Sequence, residues 1–202
     1  MRIDEVLLNA KEAGVTEIYM PNVDSKSIDS MFDLESRYPH CKALMGLHPC
    51  SVNLDYKDEL KIIDHWFNSR AFCGVGETGI DLYWDKTYYE EQVKSFEYQI
   101  DLSIDMGIPI IIHSRDSLDI SIDIITKKQN GKLTGVFHCY NDKIKQKKKI
   151  VDSGFFMGLG GVITYKNSQL NDMVIDMPLN NMVLETDSPY LSPVPKRGKE
   201  NE

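Results

Sequence analysis

Histidine and carboxylate side chains follow short apolar runs at widely separated points of the chain. They are His48, Glu77, His113, His138 and Asp187. Their separations are irregular, so no local motif joins them, and they can meet only if the fold gathers the ends of several strands. Histidines and carboxylates around one point form a ligand set suited to Zn²⁺, Mn²⁺ or Mg²⁺. The pattern therefore predicts a divalent-metal site.

Glu77 interrupts an otherwise apolar run, GVGETGIDLYW at 74–84. An unpaired buried carboxylate costs on the order of several kcal/mol, so Glu77 must reach water or a positive partner. The flanking Gly76 and Gly79 allow a tight turn that aims the carboxylate away from the core. A carboxylate can bridge two cations, and metals roughly 3.5 to 4 Å apart would activate water and stabilise the leaving oxygen of a phosphodiester. We predict that Glu77 contacts metal.

Strand-length apolar runs recur along the chain, with helical segments between them. Seven runs are found, at 17–23, 43–49, 72–79, 108–115, 133–140, 155–161 and 182–189. Amphipathic segments at 3–14 and 88–107 predict helices, and each ends at a glycine, Gly14 or Gly107, suited to a helix C-terminus. Strands and helices that alternate with short connections predict a parallel sheet, and seven such strands favour a barrel over an open sheet.

The predicted fold class is α/β, with residues 1–202 forming a single domain that is an incomplete (β/α)8 TIM barrel. A complete barrel takes about 250 residues and opens with a strand, whereas this chain opens with a helix. We expect the first strand and the last helix to be missing from this sequence, which leaves two unpaired strand edges. These edges would pair with each other or with another copy in self-association, or the chain is part of a longer protein. Active sites of such barrels lie at the carboxyl ends of the strands, where the candidate side chains are found.

Composition restricts the cellular setting and the partners. The 31 acidic and 23 basic side chains give the 202 residues a net charge of −8, which argues against an extended electrostatic surface for nucleic acid. A nucleic-acid substrate would have to be held locally. The four cysteines form no CxxC pair and predict reduced thiols in a cytoplasmic protein. No apolar stretch approaches the roughly 18 residues of a membrane span, and no obligate protein partner is indicated.

Six segments give the sequence a specific resemblance to the TatD family of metal-dependent deoxyribonucleases. They are GLHP (46–49), GVGETGIDLYW (74–84), PIIIHSRDS (109–117), GVFHCY (135–140), GLGGVITYKNS (158–168) and VLETDSPYLSPVPKRGKEN (183–201). These segments run through nearly all of the chain in family order. The resemblance implies an amidohydrolase-like TIM barrel that cleaves the phosphodiester bonds of DNA with up to two divalent metal ions, often as a 3′ to 5′ exonuclease.

The resemblance also implies roles for individual residues. Glu77, His113 and His138 would hold one metal, with Glu77 shared between two. Asp187 would serve the second metal and help to activate water, so Glu77 and Asp187 are the expected catalytic residues. His48 and Arg115 would meet the substrate phosphate.

One departure from the family pattern bears on activity. Family members open with a strand carrying an HxH pair that supplies two metal ligands, and this sequence contains no HxH. Residues 1–14 match the helix that follows that strand. Loss of even the groups that support metal ligands typically costs roughly 10- to 100-fold in metal affinity or activity. We therefore expect one occupied metal and weak or absent catalysis in this chain, and an active enzyme if the strand precedes Met1.

The residues leave two other functions open. An inactive, truncated barrel would fold or self-associate without turnover. A hydrolase of a small-molecule ester, amide or phosphoester would use the same site, because one fold supports many substrates. The individual signals also have structural explanations: Glu77 as a capping carboxylate, His113 or His138 as a core histidine, and Asp187 as the start of a turn before Pro189.

Three further features are interpreted structurally. The GLGG segment at 158–161 lacks the spacing of a dinucleotide fingerprint and predicts close packing at a strand end. The basic run KIKQKKK at 143–149 is typical of a solvated helix face, with contact to a DNA backbone as the alternative. Asp81 is expected either to be structural or to support the site, and not to bind metal.

Overall fold

The computed structural model describes residues 3–140, 144–168, 170–175 and 177–201, and strands alternate with helices along them. The strands are β1 (Ile18–Met20), β2 (Cys41–Ala43), β3 (Val75–Asp81), β4 (Ile110–Arg115), β5 (Gly135–Phe137), β6 (Phe155–Leu159) and β7 (Met182–Leu184). The helices are α1 (Ile3–Glu12), α2 (Ile28–Arg37), α3 (Tyr56–Ser69), α4 (Tyr89–Met106), α5 (Leu118–Lys128), α6 (Ile144–Asp152) and α7 (Leu170–Ile175). Short 3₁₀ helices lie in the connections at Pro49–Ser51, Gly161–Thr164 and Leu179–Asn181. None of the described helices is long and apolar enough to cross a membrane.

The strand pairs are parallel and follow chain order. β1 pairs with β2, and β3 to β7 form a five-stranded sheet in the order β3-β4-β5-β6-β7. An isolated bridge from Met45 to Val75 links the chain after β2 to β3. Consecutive parallel strands with helices between them form the α/β TIM-barrel architecture predicted from the sequence. Within the described residues no ladder joins β7 to β1.

Helix α4 covers the sheet with the face that its spacing predicts. Phe96 and Ile100 on that face are fully buried. The helix ends at Met106, and Gly107 follows in the left-handed region with a φ of +67°. The predicted helix and its glycine stop are therefore confirmed.

Gln99 connects α4 to the chain that leads into the candidate site. It is 0% exposed although it is polar. Its Oε1 accepts a hydrogen bond from the Leu47 N–H at 2.8 Å, and its Nε2 donates to the Leu47 carbonyl at 3.2 Å. Because His48 is the next residue, this pair of bonds fixes the backbone from which a predicted site histidine projects.

Strand β3 is irregular where Glu77 lies. Its register against β4 shifts between Val75 and Thr78. Gly76 and Glu77 together face one residue, Ile111, as in a β-bulge, which redirects side chains and is common beside active sites. Gly76 has a φ of +148°, and a Cβ there would lie 2.9 Å from the Ile111 side chain. Glycine at this position permits the bulge. The tight turn predicted at Gly76 and Gly79 is wrong, because β3 continues through both glycines to Asp81 and a bulge within the strand redirects Glu77 instead.

The chain segments after β1 and β2 are hydrogen-bonded to this bulge. Asn22 follows β1; its N–H donates to the Gly76 carbonyl at 3.0 Å, and its carbonyl accepts from the Glu77 N–H at 3.1 Å. The buried Asn22 side chain also donates to the Gly46 carbonyl at 2.9 Å. These bonds hold the carboxyl ends of three strands together at one mouth of the barrel.

The basic run at 143–149 falls partly outside the described residues, since Lys143 is not among them. The rest of the run lies in α6, as expected for a charged helix. Lys148 on this helix pairs with Asp152 at 2.6 Å, and its side chain is 83% exposed. This ion pair is typical of a solvated helix face.

Candidate metal centre

Glu77 lies at the centre of a cluster of imidazoles. Its Oε1 is 3.0 Å from His113 Nδ1, 3.7 Å from His48 Nε2 and 3.8 Å from His138 Nε2. Burial would raise the pKa of Glu77, but the hydrogen bond from His113 and the charges of His138 and His48 lower it to about 2. Glu77 is therefore an ionised carboxylate that three histidines from different strand ends surround.

His113, on β4, is held by carboxylates at both ring nitrogens. Nδ1 faces Glu77, and Nε2 is 2.8 Å from Asp81 Oδ2. Asp81 ends β3, is 2% exposed, and accepts the backbone N–H groups of Tyr83 and Trp84 at its Oδ1. Burial opposes a charge on His113, but the hydrogen bonds to Asp81 and Glu77 raise its pKa. Asp81 thus fixes the ring and turns Nδ1 toward Glu77, which is one of the two roles expected for it.

His138 follows β5 and is held in a matching way. Its Nδ1 is 2.9 Å from Glu185 Oε2, and its Nε2 lies 3.8 Å from Glu77 and 3.6 Å from Asp187 Oδ1. Burial would lower the pKa of His138, but the nearby Asp187 carboxylate and the hydrogen-bonded Glu185 carboxylate raise it to about 11. The Nδ1 of His138 thus bonds to the supporting carboxylate of Glu185, and its Nε2 faces Glu77.

Glu185 is a site residue that sequence reasoning missed. Its Oε2 contacts His138, and its Oε1 accepts the Cys139 N–H at 2.6 Å. A Cβ on Gly158 would lie 2.3 Å from this carboxylate, so the predicted close packing at GLGG serves to admit the Glu185 side chain. The only signal in the sequence was its place two residues before Asp187, at the end of a predicted strand.

His48 differs from the other two histidines because its second nitrogen accepts a hydrogen bond. The Cys50 N–H donates to His48 Nδ1 at 3.1 Å. Burial lowers the pKa of His48 to about 4, so the ring is neutral near pH 7. A neutral ring whose Nδ1 accepts carries its proton on Nε2, the atom that faces Glu77. His48 therefore presents an N–H donor to the site, which suits an anionic oxygen better than a metal ion.

The two remaining predicted residues lie at the border of the cluster. Asp187, with a side chain 37% exposed, directs Oδ1 to His138 and reaches solvent. Arg115, exposed at the end of β4, stacks its guanidinium over Tyr83, with Cζ 3.7 Å from the ring centroid. The structure thus brings His48, Glu77, His113, His138 and Asp187 together, with Arg115 beside them.

The donor atoms fit a divalent cation. His48, Glu77 and His113 offer ligand atoms within 4.8 Å of one another, and so do His138, Cys139 and Glu185. The second group is the weaker one, because burial raises the pKa of the Cys139 thiol to about 11 and leaves it protonated. His48 is the weaker ligand of the first group, because its Nδ1 accepts a backbone N–H, whereas a metal-binding ring usually donates from its second nitrogen. The set predicted from the sequence, Glu77 with His113 Nδ1 and His138 Nε2, instead uses rings that lie 3.0 and 3.8 Å from Glu77 Oε1. Each of these rings is oriented by a carboxylate, as metal-binding histidines usually are.

A parallel α/β barrel with carboxylates and carboxylate-supported histidines at the carboxyl ends of its strands defines a metal-dependent hydrolase. Comparison with known families agrees: the model of the TatD-related DNase family matches residues 1–202. The chain belongs to this family.

Relatives and a solved structure show the same likeness. The chain is 29% identical over 201 residues to the uncharacterized metal-dependent hydrolase YabD of Bacillus subtilis, covering 99% of this chain and 79% of YabD. It is 30% identical over 201 residues to the uncharacterized metal-dependent hydrolase YcfH of Escherichia coli K12, covering 99% of this chain and 75% of YcfH. The crystal structure of YjjV, a TatD homolog from Escherichia coli K12, superposes with a TM-score of 0.90 at 27% identity, covering 98% of this chain and 78% of YjjV.

Proposed function

We propose that this chain hydrolyses phosphodiester bonds of DNA, as a 3′ to 5′ exonuclease, with a divalent metal ion held by Glu77, His113 and His138. The observation that carries the proposal is the convergence of two carboxylate-supported imidazoles on one ionised carboxylate, 3.0 and 3.8 Å from Glu77 Oε1. Two imidazoles and a carboxylate suit Zn²⁺ best among the candidate metals Mg²⁺, Mn²⁺ and Zn²⁺, because Mg²⁺ and Mn²⁺ prefer oxygen ligands. Bound there, the metal would polarise a phosphoryl oxygen and acidify a water molecule.

The protein side chains around this point supply the other parts of the reaction. The Asp187 carboxylate lies 3.6 Å from His138 and reaches solvent, so it would take the proton of an attacking water. His48 Nε2–H donates to a non-bridging phosphate oxygen. The guanidinium of Arg115, exposed at the mouth, attracts the next phosphate.

A second cation would rely on Glu77 and Asp187. The complete enzyme of the family takes up to two metals, with an HxH pair that this sequence does not contain. We therefore propose that this chain as given holds one metal firmly and turns over slowly. Its setting is proposed to be the cytoplasm, in keeping with four free cysteines.

A cleavage assay tests the proposal. A single-stranded oligonucleotide labelled at its 5′ end is incubated with the chain and Mg²⁺, Mn²⁺ or Zn²⁺, and products are separated by length. We expect stepwise shortening from the 3′ end, which Glu77→Gln abolishes together with bound metal. Glu90→Gln removes an exposed carboxylate on α4 and should leave both unchanged.

The outcomes separate the candidate functions. Absence of nucleotide release with each of the three metals removes DNA as the substrate of this chain. Metal-dependent turnover of a small ester, amide or phosphoester in the same preparations would then assign a different substrate to the same centre. Metal binding without turnover of any of these compounds would indicate an inactive barrel.

A further inference from the structure

Tyr83 and Trp84 form an exposed aromatic pair directly after β3. Their residues are 54% and 70% exposed. The ring centroids are 4.9 Å apart, and the planes meet at 87° in an edge-to-face contact. Two large aromatic rings left in water beside a polar site, rather than packed into the core, are typical of a recognition surface.

Arg115 extends this pair into a cationic stack. Its Cζ lies 3.7 Å from the Tyr83 centroid and 5.3 Å from the Trp84 centroid. Within the described part of the chain no carboxylate forms a salt bridge with Arg115. Because the ring occupies one face of the guanidinium, its N–H edge remains directed elsewhere and can meet an anion. The stack therefore offers aromatic faces for a base and guanidinium N–H donors for a phosphate.

Asp81 connects the aromatic pair rigidly to the candidate metal centre. One oxygen of this buried carboxylate accepts the Tyr83 and Trp84 N–H groups at 2.9 and 3.1 Å. The other oxygen is 2.8 Å from His113 Nε2. The backbone that carries the rings and a proposed metal-binding ring are thus fixed by the same side chain.

A cavity continues from the stack to the centre. It has a volume of about 330 Å³, and Tyr83, Arg115, Phe137 and His138 are among its lining residues. This volume lies at the lower end of the range for small-ligand sites, roughly 300 to 1,000 Å³. The same cavity is therefore lined by a ring of the aromatic pair and by a proposed metal-binding histidine.

We propose that Tyr83, Trp84 and Arg115 form a nucleobase-stacking subsite. A base stacks on the exposed aromatic surface, Arg115 binds the phosphate beside it, and the adjoining phosphodiester reaches Glu77 and His138. This inference rests on the proposed function for the reaction, but its binding component requires no metal. It also explains how a chain with a net charge of −8 would hold a polyanion, through one local stack instead of an extended basic surface.

Binding in the presence of EDTA tests the subsite independently of cleavage. The probes are the tetranucleotide dT4 and a tetramer of the same backbone without bases, titrated while tryptophan fluorescence is followed. Trp66→Phe removes the other tryptophan, which is partly buried, so that the signal reports on Trp84. We expect dT4 to quench Trp84 and to bind on the order of five- to a hundredfold more tightly than the abasic tetramer.

Variants distinguish stacking from a structural role. Tyr83→Ala should lose most of the preference for dT4 over the abasic tetramer, whereas Tyr83→Phe, which keeps the ring, should retain it. Tyr98→Ala is the matched control, because Tyr98 is an exposed tyrosine (40%) on α4. Circular dichroism of each variant establishes that the fold is intact.

Each possible result either supports or overturns the proposed stacking subsite. Equal affinity for dT4 and the abasic tetramer, or no binding of dT4, overturns the subsite, and so does an unchanged preference in Tyr83→Ala. A base preference that depends on Tyr83 supports it even if no phosphodiester is cleaved with metal, in which case only the proposed reaction falls. Cleavage with no base preference leaves the reaction standing and removes the subsite.

Discussion

Each of the two proposed metal-binding histidines owes its orientation to a second carboxylate. His113 is held by Asp81 at 2.8 Å and His138 by Glu185 at 2.9 Å. An imidazole with one nitrogen bonded to a carboxylate keeps a defined ring angle and becomes a stronger ligand at the other nitrogen. Metal affinity should therefore depend on residues that never touch the metal.

Asp81→Asn tests this dependence. The amide can still bond to the ring but cannot supply the negative charge that strengthens His113 as a ligand. We expect Mn²⁺ affinity, measured by isothermal titration calorimetry, to fall about 10- to 100-fold. Asp105→Asn, an exposed change at the end of α4, is the control. Equal affinities in the two variants would show that Asp81 does not support the centre.

The strands and helices position the cluster through a few close approaches. Gly158 on β6 leaves space for the Glu185 carboxylate, which would lie 2.3 Å from an added Cβ. Gln99 on α4 bonds to both backbone groups of Leu47, immediately before His48. These contacts explain why a small residue and a buried polar residue occupy positions where a larger apolar side chain would otherwise fill the core.

Gly158→Ala should separate Glu185 from His138. The added methyl group must displace the carboxylate, so we expect weaker metal binding and a loss of about 1 to 3 kcal/mol in the free energy of unfolding. Gly160→Ala is a close control, because its Cβ would meet the Glu185 carbonyl at 3.6 Å, an ordinary contact. Metal content by elemental analysis and urea unfolding measure the two effects. A Gly158→Ala protein with normal metal content would contradict the packing argument.

Gln99→Leu should destabilise the chain before His48. The substitution leaves the buried Leu47 N–H and carbonyl without their partner, and each unsatisfied group costs about 1 to 3 kcal/mol. Urea unfolding should show this loss in the free energy of unfolding. Lys94→Gln, on the exposed side of the same helix, should change it by less than about 0.5 kcal/mol. A neutral Gln99→Leu would mean that Leu47 finds other partners.

The barrel as described presents strand edges at β1 and β7. Within the described residues, β1 pairs only with β2 and β7 only with β6. Leu184 on β7 is 89% exposed, and Tyr19 on β1 is 55% exposed. Unpaired edges with exposed apolar side chains favour pairing with another chain.

We accordingly predict self-association of this chain. Sedimentation velocity over a range of concentrations should show a dimer or larger species in exchange with the monomer. Leu184→Lys places a charge on the β7 edge and should shift the equilibrium toward monomer. Leu54→Lys, at a residue 73% exposed before α3, is the control. A strict monomer at all concentrations would contradict association through these edges.

The local patterns of the sequence predicted a large part of the structure. Apolar runs placed six of the seven strands, and α4 and Gly107 lie where periodicity and the glycine stop predicted them. The run at 43–49 was wrong for β2, which lies at Cys41–Ala43 and shares only Ala43 with it. The family resemblance named the residues that meet around Glu77. Such patterns predict strands and helices because the burial of a strand, or of one helix face, depends on the types of a few neighbouring residues.

The sequence by itself determined which side chains could perform the chemistry and which elements carry them. Only the tertiary structure decided the partners: Asp81 with His113, Glu185 with His138, and Arg115 with Tyr83. It also decided that His48 presents a proton, through a bond from the Cys50 N–H. Contacts such as that of Glu185 with His138 join side chains far apart in sequence, and their directions depend on strand register and on bulges such as that at Glu77. No local pattern encodes these relations, because they exist only once the strands lie side by side.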